Sequence, residues 1–130
     1  MYKKYLAKIM AADNEGLKMI SACCAGAEVK IKDIKFLQKN KIFLLSLKRL
    51  KLEAEHTEKK INSICKFEFV DNVKSKNINQ NKQEQALKLV TMNFLKNNEN
   101  NEINLIFDNN AYITLSTEII EVTLEDQKTI

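Results

Sequence analysis

The chain has 130 residues, of which 45% are hydrophobic and 29% charged. These proportions are typical of one globular domain, spanning residues 1–130, rather than of a disordered chain. No window approaches about 18 consecutive apolar residues, and the basic start lacks the apolar core of a signal peptide, so we expect a cytoplasmic protein with no membrane partner. The net charge is +4 and all but one of the 21 basic residues are lysine, whereas a dedicated nucleic-acid-binding domain is more basic and uses arginine to bind phosphate.

The first predicted elements are a short strand and a helix. The pattern of Tyr5–Met10 indicates a short strand. Asp13 then supplies an N-cap oxygen, and Gly26 is a natural helix end because glycine adopts the left-handed conformation without strain. The helix is therefore predicted at Asn14–Ala25. Its inward face has residues at helical spacing, namely Leu17, Ile20, Ser21 and Cys24.

After the helix, apolar residues recur with a period of two, which indicates β-strands. The alternation changes parity within Glu28–Phe36, and again within Phe43–Leu52 around Lys48 and Arg49. A parity change inside a continuous strand predicts a β-bulge, which returns apolar side chains to the core and bends the strand. The polar residues Gln38–Lys41 predict a hairpin turn between the two strands.

The middle of the chain alternates polar connections with strands. Glu53–Asn62 is polar and favours a loop over a helical turn. Cys65–Val73 predicts a fourth strand, and Leu87–Phe94 predicts a fifth that is apolar on both faces. Between them, Asn77–Gln85 has almost no apolar side chain and predicts an exposed excursion.

The last hairpin permits a register assignment. Apolar residues alternate in Ile103–Phe107 and in Ala111–Leu115, and a three-residue loop at Asp108–Asn110 places all six on one face. Such loops end in a left-handed residue, which Asn110 tolerates well. The tail Ile119–Leu124 predicts either a continuing strand after a kink or a short closing helix.

Together these elements predict an α+β domain, with one N-terminal helix packed on a strongly curved antiparallel meander of about six or seven strands. Several strands are apolar on both faces. We therefore expect the sheet to curl into a half-barrel or to fold over like a sandwich.

Catalytic and metal-binding patterns are absent from the sequence. His56 is the one histidine and lies in a polar run, which favours a solvated side chain over a general base. Cys23 and Cys24 are adjacent on the predicted helix and no C-x-x-C spacing occurs, so we expect Cys24 and Cys65 to be core thiols in a reducing compartment rather than zinc ligands. With two glycines, a phosphate-binding loop is nearly excluded. We expect no enzymatic activity, cofactor or metal.

Basic residues on neighbouring predicted strands form a candidate contact surface for an anion or a partner. Phenylalanines lie in the same region; exposed beside lysine they would stack nucleic-acid bases, but their alternation in register favours a buried position for them and an outer face for the lysines. The candidate contact residues are Lys30, Lys32, Lys48, Arg49, Lys51 and Glu53, with Lys35 in the same region, and the phenylalanines are Phe36, Phe43, Phe67 and Phe69.

Our first functional hypothesis is a non-enzymatic protein-binding or scaffold domain, with self-association as one version of it. It follows from apolar residues on both faces of several strands, because an uncovered face or edge is commonly closed by a partner. The alternative is a nucleic-acid-contacting domain that uses the lysine-rich strand face. A third hypothesis is a small-anion or enzymatic site centred on Arg49 with Glu53.

The order of segments resembles that of a small alphaproteobacterial family of uncharacterised proteins, domain of unknown function 2948, over about Leu6–Asp126. The most specific stretches are LKMISA, LKRLKLE, FEFVDNVKSKNI, INLIF and IIEVTLED. Within the second, the family pattern Asn-Arg-Phe-Arg-Trp-Glu is kept at Arg49 and Glu53, but Lys48 stands for the Asn and Leu52 for the Trp.

Two further departures from the family pattern lie near the last turn. Asn109, Asn110 and Ala111 stand where a glycine run is expected, and Thr114 stands where an Arg is expected. If the family binds an anion through arginines, the resemblance implies that this chain has lost most of those groups. The resemblance implies a stand-alone cytoplasmic protein, and it carries no known activity.

Overall fold

One α-helix and ten β-strands make up the part of the chain that the computed structural model describes, residues 7–50, 60–96 and 101–127. The helix, α1, is Asn14–Cys24. The strands are β1 (Lys8–Ala11), β2 (Glu28–Lys30), β3 (Ile34–Leu37), β4 (Ile42–Leu50), β5 (Lys60–Phe67), β6 (Val70–Lys76), β7 (Ala86–Lys96), β8 (Asn101–Phe107), β9 (Tyr112–Thr117) and β10 (Val122–Asp126). Single turns of 3₁₀ helix at Ile31–Asp33 and Gln38–Asn40 flank β3.

The strands form one antiparallel sheet in the order β1-β10-β5-β4-β2-β7-β8-β9-β6, and β3 also pairs with β4. The prediction of an α+β domain with one helix and a large antiparallel sheet is confirmed. The prediction of six or seven strands in a meander is wrong, because the sheet has ten strands and joins β5 to β10 and β2 to β7, which are distant in sequence. Within the described residues the sheet is open, since β1 and β6 are its unjoined ends.

The strand count differs because two predicted strands are each divided. The 3₁₀ turn at Ile31–Asp33 separates β2 from β3, which fall inside the predicted Glu28–Phe36 strand. The predicted Cys65–Val73 strand breaks at Phe69, whose φ of 59° sends the chain into a different part of the sheet. For the tail, both a strand and a short helix were open, and the structure has a strand, β10, which lies between β1 and β5.

Helix α1 follows its predicted capping. The backbone N–H of Gly16 donates to Oδ1 of Asp13 at 2.8 Å, and Gly26 has a φ of +83° beyond the last turn. The helix ends at Cys24, one residue earlier than predicted. The four residues predicted for its inward face are all buried, and this face packs mainly on β7, with β1 at its side.

Both predicted hairpins are confirmed. Gln38–Lys41 turns between β3 and β4, with Lys41 in the left-handed conformation. In the last hairpin Leu105 lies opposite Ile113, and the N–H of Phe107 donates to the carbonyl of Ala111 at 2.8 Å. This is the register that a three-residue loop requires.

The two parity changes do not arise from bulges at the predicted positions. The first parity change, within Glu28–Phe36, is caused by the 3₁₀ turn at Ile31–Asp33. At the second, β4 pairs with β5 without interruption from Phe43 to Leu50, so Arg49 points inward and Leu50 is 42% exposed. The bulges lie in β6 and β7, where the register shifts between Val70 and Asn72 and between Leu89 and Thr91.

Inward side chains from the helix and the sheet form one apolar core. Its aromatic centre is the pair Phe43 and Phe67, with ring centroids 6.0 Å apart, which confirms the prediction that these side chains are buried. Phe36 is half-buried against the core, and Phe69 is 38% exposed, so the prediction was wrong for Phe69. In the described part of the chain, no helix is long and apolar enough to cross a membrane.

Candidate functional site

Arg49, the one arginine of the chain, is buried in the core. Its position follows from the alternation of β4, in which Phe43, Leu45, Leu47 and Arg49 all point inward. Its side chain is 1% exposed, and its Nη2 donates to Oδ1 and Oδ2 of Asp126 at 3.0 and 3.2 Å. Its Nε lies 3.2 Å from both Ser63 Oγ and Asp126 Oδ1. The guanidinium therefore holds an internal carboxylate rather than presenting itself to an external anion.

Asp126 is supplied with donors from three directions. Ser63 Oγ donates to Oδ1 at 2.7 Å, and the N–H of Ala7 donates to Oδ2 at 2.9 Å. Burial on its own raises the pKa of Asp126, but the hydrogen bonds from Ser63, Ala7 and Arg49, together with the charge of Arg49, lower the pKa below its usual value. A buried ion pair is tolerated when its remaining hydrogen-bonding capacity is satisfied in this way. The cluster joins β4, β5 and β10, and its geometry fits a structural role.

The predicted lysine contacts lie on the outer surface among acidic partners. Nζ of Lys30 and Nζ of Lys32 lie 3.4 and 3.0 Å from the Glu84 carboxylate. The Glu84 hydrogen bond and charge raise the pKa of Lys32, and the same contacts lower the pKa of Glu84. Lys48 is exposed on β4 and lies opposite Glu28 of β2. The outer face of these strands thus carries charges of both signs.

Other predicted residues are dispersed. Lys35 is exposed on β3, whereas Lys51, Glu53 and His56 lie outside the described residues. The structure therefore places Arg49 in the core and the described lysines on the surface, and it does not bring them to one site.

The thiols confirm the prediction of core cysteines. Cys24 and Cys65 are both 0% exposed, and Cys23 is half-buried. Burial raises the pKa of Cys24 to about 12 and raises that of Cys65 well above its usual value. Within residues 7–50, 60–96 and 101–127, no cluster of three or more His, Cys, Asp or Glu side chains could hold a metal ion.

A cleft that apolar periodicity does not predict opens between β3 and β6. It has a volume of about 290 Å³. Its floor is formed by the core residues Phe43 and Ile113, and Gln80 and Gln83 of the polar excursion lie at its rim. The remaining lining residues are Ile31, Ile34, Phe36, Val73, Ser75 and Ile78. One signal was present in the sequence, since Ile78 is the one large apolar residue of the excursion and packs against the core.

Backbone hydrogen bonds connect the segments that line this cleft. The N–H of Val70, at the start of β6, donates to the carbonyl of Lys41, just before β4, at 2.8 Å. The N–H groups of Ile31 and Lys32 donate to the carbonyls of Gln85 and Gln83 at 3.0 and 3.1 Å. The excursion is therefore tied to the turn before β3 and bounds the cleft.

Comparisons with curated proteins and with solved structures found no match to this chain. A comparison with protein families matched residues 7–130 to the family described as "Protein of unknown function (DUF2948)". The match includes β4 with Arg49 and β10 with Asp126, so the buried ion pair lies within the family domain. Because nearly the whole chain is covered, this protein belongs to the DUF2948 family of proteins of unknown function.

Proposed function

We propose that this protein is a non-enzymatic binding domain, and that the cleft between β3 and β6 takes an extended segment of another polypeptide. The observation that carries the proposal is the pair of strand edges facing an apolar floor. In the described part of the chain, β3 pairs with β4 alone and β6 pairs with β9 alone. Among the described strands, each of the two therefore has one edge without a strand neighbour.

Unpaired strand edges are sites for strand addition. Their N–H and C=O groups hydrogen-bond to water or to an added strand, and β-augmentation is a recurring mode of peptide binding. Here residues of β3 and of β6 line one cleft, and in our proposal a single added strand contacts both strands. Such a strand would join β3 to β6 and make the sheet continuous at this seam.

The cleft lining supports binding rather than catalysis. Ile34 and Phe36 of β3 and Val73 of β6 are half-buried at the cleft, so apolar surface remains for a partner to cover. Its polar lining residues are Ser75, Gln80 and Gln83, none of which is an acid or a base at neutral pH. The volume is close to the lower end of the range for small-molecule pockets, about 300–1,000 Å³, which favours side chains of an extended segment over a large cofactor.

The proposal includes the location of the protein, which is the cytoplasm. Its support is that Cys24 and Cys65 are buried thiols rather than a disulfide, which is typical of a reducing compartment.

The test is a titration of the isotope-labelled protein with a synthetic eight-residue peptide in which Val alternates with Thr. We expect amide shift changes confined to Ile34–Leu37 of β3 and Val70–Lys76 of β6. Filling the cleft with Ser75→Trp should abolish them, whereas Ser46→Trp, at an exposed position of β4, should not. No change at millimolar peptide, or changes that Ser75→Trp leaves intact, would overturn the proposal.

The same isotope-labelled protein tests the alternative function, which is contact with nucleic acid. Binding to single-stranded RNA or DNA that shifts amides around Lys30, Lys32 and Lys48, and that weakens steeply between about 50 and 200 mM salt, would favour nucleic-acid contact instead. A dimer that forms with increasing concentration and that Ser75→Trp abolishes would identify a second copy of this chain as the polypeptide.

A further inference from the structure

We infer that the segment taken into the cleft alternates apolar with acidic side chains, the acidic ones pointing outward between the lysines of β3 and β6. This inference rests on the proposed function and specifies its partner. It follows from the alternation of the two flanking strands and from the distribution of charge around the cleft.

The two flanking strands present the same alternation. On β3, Ile34 and Phe36 line the cleft and Lys35 between them is exposed. On β6, Val73 and Ser75 line the cleft and Lys74 between them is exposed. Side chains of neighbouring strands at matching positions lie on the same face of a sheet. An added strand therefore presents one set of side chains to the apolar floor and the other set to lysines on both sides.

Two acidic side chains near the cleft already contact another lysine. Asp71 and Glu118 both contact Lys41, at 3.0 and 3.2 Å. In contrast, Lys35 and Lys74 form no ion pair within the part of the chain that the structure describes.

A second pair of acidic contacts lies next in sequence to the cleft residues Ile31 and Gln83, where Glu84 contacts Lys30 and Lys32. Lys82 of the excursion forms no ion pair among the described residues either. The cleft is therefore flanked by lysines that a partner can pair with.

The charge at the outward positions of the added strand then decides which segment binds more tightly. Opposite charges on directly facing strand positions stabilise the pair, and like charges destabilise it. A glutamate between Lys35 and Lys74 faces a positive side chain on each flank, whereas a lysine there faces two like charges. The inward positions contact Phe43 and Ile113, which favour apolar side chains.

The test compares three eight-residue peptides in which Val alternates with Glu, with Thr or with Lys. Fluorescence anisotropy gives their dissociation constants for the full chain at about 50 and 150 mM salt. We expect the Glu peptide to bind about fivefold more tightly than the Thr peptide, and the Lys peptide about fivefold more weakly. The advantage of the Glu peptide should shrink at the higher salt concentration because exposed charges are screened.

Reversing the charge of one lysine beside the cleft tests whether that lysine causes the preference for the Glu peptide. Lys74→Glu should remove most of the preference for the Glu peptide and leave binding of the Thr peptide unchanged. Lys8→Glu is the matched control, because Lys8 is an exposed strand lysine on β1, at the other end of the sheet. The Lys8→Glu variant should prefer the Glu peptide over the Thr peptide to the same extent as the wild type.

The possible results separate the two proposals. Equal binding of the Glu, Thr and Lys peptides in the cleft would overturn the acidic partner and leave the binding domain standing. Absence of binding by all three peptides would overturn both. A dimer that competes with the Glu peptide would assign the cleft to a second copy and would also overturn the acidic partner.

Discussion

Nη2 of Arg49 lies 3.0 Å from Oδ1 of Asp126, and the two side chains are 1% and 0% exposed. The pair joins residues separated by 77 positions in the chain. Ser63 and Ala7 complete the hydrogen bonding of the carboxylate, so the cluster connects β4, β5 and β10 to the residue just before β1. This is the one place in the described core where charged side chains replace apolar packing, and it gives the first prediction.

Replacing Arg49 with methionine should destabilise the protein strongly. Asp126 would stay buried without its charged partner, a change that costs about 3–5 kcal/mol of unfolding free energy. Urea denaturation measures the effect. Lys48→Met, at the neighbouring exposed position of β4, is the control and should change stability by less than about 0.5 kcal/mol.

The double variant Arg49→Met with Asp126→Leu should recover much of that loss, because it leaves no unpaired charge in the core. A single variant as stable as the wild type would contradict the structural role of the pair.

Stability should depend on pH through Asp126. Its pKa is lowered in the folded protein, so its contribution is fully present above the unfolded pKa of about 3.9 and is lost as the pH falls through the folded pKa. Unfolding free energies measured from pH 7 to pH 2 should therefore fall more steeply for the wild type than for Asp126→Asn. Glu125→Gln, which removes an exposed carboxylate from the same strand, should follow the wild type. Parallel curves for the wild type and Asp126→Asn would refute the prediction.

Ser21 should matter for the packing of α1 on the bulged strand. Its Oγ accepts from the N–H of Met92 at 2.9 Å and lies 3.2 Å from Thr91 Oγ1, next to the register shift in β7. Ser21→Ala leaves that buried N–H without its acceptor, which costs about 1–3 kcal/mol. Amide exchange should show faster exchange at Met92. The exposed Ser46→Ala on β4 is the control, and an unchanged exchange rate in Ser21→Ala would argue against the contact.

One of the three thiols should react in the native protein. Thiol reactivity requires the thiolate, and burial raises the pKa of Cys24 to about 12 and that of Cys65 well above its usual value. Cys23 is half-buried and should account for the labelling by a maleimide at pH 8. Cys23→Ser should remove the native reaction, and denaturant should expose the remaining two thiols. Rapid labelling of two or more thiols in the native wild type would contradict the core assignment.

Elements set by neighbouring residues were predicted well. The side chain of Asp13 and the backbone freedom of Gly26 act within a few residues of α1. The last hairpin was predicted with its register because its loop chemistry is also local, and Asn110 has the expected left-handed conformation, with a φ of 59°. Asn109 has it as well, at 58°, which the alternation alone did not indicate.

The errors concern residues whose position depends on distant partners. Apolar periodicity favoured Leu50 over Arg49 as the inward residue of β4 and so predicted a bulge. The strand instead continues because Asp126 and Ser63 supply the buried guanidinium with acceptors. The cleft was missed for a similar reason, since Ile34 and Val73 line it together from strands that do not pair with each other.

The amino-acid sequence by itself determined the helix, its cap, the two hairpin turns and the general alternation of inward and outward residues, because hydrophobic spacing and turn preferences act over a few positions. The tertiary structure decided which strands become neighbours, that the one arginine is internal, and that two strand edges flank an apolar cleft. These features depend on contacts between segments far apart in the chain, and their free energy is gained only when the sheet assembles.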